Sequence, residues 1–146
     1  MGFLSGLIGK AKQSGGKAHA ALTKQDDLER ICLAAGGAMF ADGSCEDSEY
    51  SAAGNVIEGR FKGVFTRTQI DQALDKAVKL FEGGKFSGRR AVFAALQQVE
   101  STDEGEAIFA AVLDVCDSAG GIGESEMGYI KEIASKLRVN PATYGL

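Results

Sequence analysis

The sequence is short of proline, histidine and cysteine, and each shortage closes off a class of structure or chemistry. The one proline, Pro141, stands near the C-terminus, so no helix in the body is broken by a missing N–H. The one histidine, His19, lies beside no acid in a Gly- and Ser-containing stretch and reads as a surface residue. Its isolation excludes Ser-His-Asp and Cys-His catalysis and the H-E-x-x-H metal site. Three cysteines, Cys32, Cys45 and Cys116, are odd in number and unrelated in spacing. They form neither a disulfide framework nor a zinc site, and a reducing cytoplasm suits them. No apolar run approaches the length that spans a bilayer. The start has no basic n-region, and Lys10 and Lys12 interrupt its apolar residues, which argues against a cleavable signal peptide. Sustained apolar–polar alternation is missing too, so strands are not expected.

What is present describes one globular domain. The chain has 146 residues, 45% of them hydrophobic and 25% charged, enough to bury a core and too apolar for disorder. The net charge of −4 is unevenly placed. Residues 1–25 hold Lys10, Lys12, Lys17 and Lys24 and no acid, so they carry +4 and the remainder −8. An acidic body repels phosphates, which excludes nucleic acid as a partner and favours cations or basic surfaces.

Apolar residues recur at three- and four-residue spacing almost throughout, which predicts an all-α fold. Residues 1–22 read as an amphipathic segment with a linker, and 23–146 as the helical domain. Within the first part, Phe3, Leu4, Leu7, Ile8 and Ala11 predict a short helix over 3–12, broken at Ser14-Gly15-Gly16. That helix can lie on a membrane surface or pack back on its own domain. Asp26 and Asp27 open a helix with Leu28, Ile31, Cys32, Ala35 and Met39 inward. A second, about 47–61, turns Tyr50, Ala53, Ile57 and Phe61 inward. Thr66 with Gln69 is a capping box that starts a third, carrying Ile70, Leu74, Ala77, Val78 and Phe81, with Gly83-Gly84 as a left-handed C-cap. Ser87 opens a fourth with Val92, Ala95, Leu96 and Val99 buried. Ser101 with Glu104 caps a fifth, and the last buries Met127, Ile130, Ile133, Ala134 and Leu137. Gly36, Gly37 and Gly54 are expected at close helix crossings.

Two acidic bends repeat at a constant offset of 77 (120 − 43). Gly43 falls on Gly120, Asp47 on Glu124, Ser48 on Ser125 and Glu49 on Glu126, and the flanking apolar positions keep register. Clustered carboxylates between rigid helices are hard oxygen ligands of the kind divalent cations take. The candidate ligands are Asp42, Glu46, Asp47 and Glu49 in the first bend and Asp117, Glu124 and Glu126 in the second. The competing reading is structural: acids in a helix's first turn are stabilised by its dipole, and Ser44 can serve as an N-cap. Neither bend has EF-hand spacing. Cys45 lies among acids that disfavour the reactive thiolate, which argues against a redox role. Gly83–Arg90 looks superficially like a phosphate loop but lacks the Walker pattern and a preceding strand, leaving a helix–helix turn with Arg89 and Arg90 on an exposed first turn.

The duplicated helix–bend–helix, the Ala41-Asp42-Gly43 step before an acid-rich helix start, and the terminal N-P-A-T-Y-G-L resemble the TerB proteins of the tellurite-resistance operon. The resemblance covers essentially the whole chain, the MGFL…GKAK start included. It implies an all-α bundle of about seven helices with an internal duplication. It also implies divalent-cation binding, chiefly calcium, at residues that fall here on Asp42, Asp47 and Glu49, and on Glu124 and Glu126. The family's second bend keeps an Asp-Gly pair where this chain has Ala119-Gly120, so a second site needs Asp117 in that place. TerB proteins act with other Ter proteins in a membrane-associated complex, and no enzymatic activity is implied. The expectation is therefore a non-enzymatic, cytoplasmic, cation-binding module of the stress-response type. It would dock to Ter-type partners, with peripheral membrane contact through 3–12. The alternative is a phage-borne or other structural relative that keeps the fold without metal.

Overall fold

The computed structural model describes residues 22, 24–40, 46–118 and 122–146, which form six α-helices and a closing 3-10 turn with no strand among them. The proposed N-terminal helix, Asp42, Ser44, Cys45, Ala119 and Gly120 lie outside the described residues. The helices are α1 Gln25–Met39, α2 Asp47–Arg60, α3 Arg67–Glu82, α4 Lys85–Gln97, α5 Thr102–Ser118 and α6 Glu124–Lys136, followed by the 3-10 turn Pro141–Tyr144. No helix among the described residues is long and apolar enough to cross a membrane.

Two helices form the centre. In α5 nearly every residue from Gly105 to Cys116 is buried, as its all-round apolar sequence requires. In α1 the run Ala34–Met39 is buried on all sides, and α3, α4, α5 and α6 all pack on it. Small residues permit this crowding. Ala77 of α3 sits 3.3 Å from where a Cβ on Gly36 would stand, and a Cβ on Gly37 would overlap the Tyr129 hydroxyl. Helix α2 covers α5 and α3, and a buried ion pair between Arg60 and Asp114 joins α2 to α5. The C-terminal turn closes one end, with Tyr144 edge-on to Phe109 at 5.1 Å between centroids and its hydroxyl on Glu106.

Local chemistry sets most of the boundaries. Thr66 and Gln69 make the reciprocal capping box that starts α3, the Thr66 N–H donating to Gln69 Oε1 at 2.8 Å. Helix α4 begins at Lys85, two residues before the expected Ser87, because Gly84 is the N-cap at φ 149, a conformation open to glycine. Gly83 is in the right-handed region, not the left-handed C-cap expected. The N-cap of α2 is Glu46 rather than Ser44. Tyr50, Val78, Ala95 and Met127, expected inside, are half-buried.

Candidate functional site

At the first bend, acidic side chains close a helix end. The Glu49 carboxylate accepts the Glu46 backbone N–H at 3.1 Å, and the Glu46 side chain returns to the Glu49 N–H. This capping box satisfies donors that the start of α2 would otherwise leave open. Asp47 is exposed beside it.

At the second bend the arrangement differs. Asp117 lies in the last turn of α5, where the helix dipole opposes a negative charge. Its Oδ1 is buried and has no hydrogen-bond partner among the described residues. Across the bend Gly123 is the N-cap of α6, and Glu124 and Glu126 occupy its first turn, where the dipole favours them. Glu124 is exposed. The Glu126 carboxylate folds back, its Oε2 2.7 Å from where a Cβ on Gly123 would stand. The charges of Asp117 and Glu126 act on one buried thiol: Cys116 is pushed up to about 12, first by burial, then by Glu126 and Asp117. Among the described residues no group of three His, Cys, Asp or Glu is gathered closely enough to hold a metal ion.

Two features were not anticipated from sequence. Asp27, read only as a helix-opening acid, is fully buried. Arg30 Nη1 donates to its Oδ1 at 3.0 Å, and Arg30 Nε donates to the Ala95 carbonyl at 3.2 Å. Burial, and then the hydrogen bond and charge of Glu104, push the Asp27 carboxyl up to about 6 against the pull of Arg30. Asp27 and Glu104 therefore face each other as a carboxyl pair between α1 and α5.

The second feature is a groove of about 590 Å³ between α4 and α6. Phe86, Arg89, Arg90 and Phe93 form one stripe of α4, and Gly128, Tyr129 and Glu132 line the α6 side. Phe86 is 79% exposed, far more than Val64 or Leu80, the other exposed large apolar residues among the described residues. The Arg89 guanidinium lies 4.9 Å over the Tyr129 ring, and Lys136 Nζ lies 5.5 Å over Phe93. Arg89 Nε is buried with no acceptor among the described residues. The i, i+3, i+4, i+7 spacing of the α4 stripe was the available signal, hidden by its likeness to a phosphate loop.

Comparison with known proteins finds no matching family model, no matching curated protein and no matching solved structure.

Proposed function

We propose that this chain is a non-enzymatic helical module of the TerB-like, stress-response type that binds a divalent cation, calcium foremost, at its acidic bends and docks to partner proteins. The observation that carries this reading is the buried, undonated Oδ1 of Asp117 at the second bend. A buried carboxylate oxygen without a donor is costly, and a cation is the counterpart that removes the cost. Glu126, on the far side of the bend, and Asp117 both act by their charge on the buried Cys116 thiol. This shifts the weight from the first bend, where Glu46 and Glu49 already cap α2, to the second, with Asp117 in the place Ala119 leaves empty. The helix starts favour the duplication on which the resemblance rests: α1 and α5, like α2 and α6, begin at the same offset of 77 (102 − 25 and 124 − 47). Oxygens drawn from α5 and α6 would fix the angle between those helices and so couple cation occupancy to the surface that meets a partner.

Calorimetric titration with calcium and with magnesium tests the reading, on the parent, Asp117→Asn and Asp42→Ala. Calcium at a hundredfold over its dissociation constant should stabilise the parent by about 2.7 kcal/mol, read as a raised melting temperature against EDTA. Asp117→Asn should remove that rise. No heat and identical melting in calcium and EDTA would leave the second reading, an interaction protein that keeps the fold without metal. The Glu46–Glu49 capping box favours that reading, because it gives these acids a purely structural task.

A further inference from the structure

We infer that the groove between α4 and α6 is the docking site for a short acidic, apolar-anchored peptide segment of a partner protein. This rests on the docking half of the function proposed above and not on the cation. Three observations converge. The groove is concave and aromatic, with Phe86, Phe93 and Tyr129 as walls. Gly128 on the α6 side adds no side chain to the lining, and a Cβ there would meet nothing within 4 Å. Shape of this kind takes an apolar side chain from a helix or extended segment.

Charge then selects the segment. Arg89, Arg90 and Lys136 surround the groove against a single acid, Glu132, in a chain whose residues beyond 25 carry −8. Neither arginine belongs to an ion pair among the described residues. Arg90 is exposed, and with no acid of the described residues paired to either guanidinium an incoming carboxylate meets their charge in a charge-assisted bond. Residues 1–25 of this chain carry +4 and no acid, so like charge argues against self-docking. A nucleic-acid strand would meet the acidic body and find too few cations to track its phosphates.

Short random peptides displayed on phage, selected on the full-length chain and counter-selected on Arg90→Glu, test this. The enriched peptide is then made synthetically and measured by fluorescence anisotropy, beside a counterpart with lysine at every acidic position. Enriched sequences should carry Asp or Glu around Leu, Phe or Tyr. Binding should weaken with salt, and about tenfold in Arg90→Glu, the loss expected for a close charge pair. It should fall similarly in Gly128→Leu, whose Cβ meets no neighbour and whose added bulk narrows the groove. Lack of enrichment, equal binding by the lysine counterpart, or equal binding to both variants would overturn the proposal. So would occupation of the groove by a synthetic peptide of residues 1–21, by oligothymidylate, or by a second copy in Phe86-dependent self-association. Running the anisotropy in calcium and in EDTA separates the two proposals. Unchanged binding in EDTA, with no calorimetric calcium heat, retains the groove and removes the cation.

Discussion

At Gly37 the backbone of α1 passes against the Tyr129 ring, and the Tyr129 hydroxyl donates to the Ala34 carbonyl at 3.1 Å. Burial pushes the Tyr129 hydroxyl well above its ordinary value, so it stays a donor at any working pH. A methyl at position 37 cannot coexist with that hydroxyl. Gly37→Ala gains about 1 kcal/mol of helix propensity but must move the ring, which costs about 1–3 kcal/mol in overpacking, and it also breaks a buried hydrogen bond. The expected net loss is about 2 kcal/mol in urea denaturation. Parental stability in this variant would mean that the contact does not organise the core. Burial likewise raises the Cys32 and Cys116 thiols, consistent with their reading as small core residues.

Between elements, the Arg60–Asp114 pair ties α2 to α5 at a place where both side chains are largely shielded from water. Burial lowers the Arg60 pKa, and the adjacent Asp114 charge works to restore it. Asp114→Ala leaves a guanidinium in a low-dielectric site and should cost about 3–5 kcal/mol, whereas Arg60→Met with Asp114→Leu should recover most of that. Denaturation midpoints of the single and double variants decide it, and equal losses would deny the pair its isolating role. The helices themselves were legible, because three- and four-residue spacing marks α1, α3, α5 and α6, and Thr66 with Gln69 announces a start. The start of α4 was not, since Ser87 has the better capping side chain while Gly84 has the backbone freedom. The structural alternative for the acids of the first bend was legible as a dipole effect, but the capping box of Glu46 with Glu49 was not, because Ser44 has the better capping side chain and a carboxylate suited to a cation is equally suited to an N–H. The groove needed α6 to be placed opposite α4, and the setting of Asp27 needed Glu104 brought over from another helix. Both are tertiary facts that no local window contains.

For the molecule as a whole, Asp27, by its burial and then by the nearness of Glu104, gives stability a pH dependence opposite to that of most carboxylates. The Asp27 carboxyl titrates near 6 when folded, above its ordinary 3.8. Its contribution is therefore full below about pH 4 and is lost as pH rises through about 6. Glu104→Gln removes one of the charges behind this shift. The variant should gain on the parent at about pH 7.5 and lose that advantage toward about pH 5. Thermal melting of the two proteins across this range checks it, and parallel curves would show that Glu104 does not contribute to the shift of Asp27. The position of Tyr129 has an optical consequence. The chain contains no tryptophan and three tyrosines, one of which is a wall of the groove while its hydroxyl is anchored in the core. A ligand bearing an indole would accept excitation energy from that ring, so the protein carries a native fluorescent donor at the α4–α6 face without any added dye.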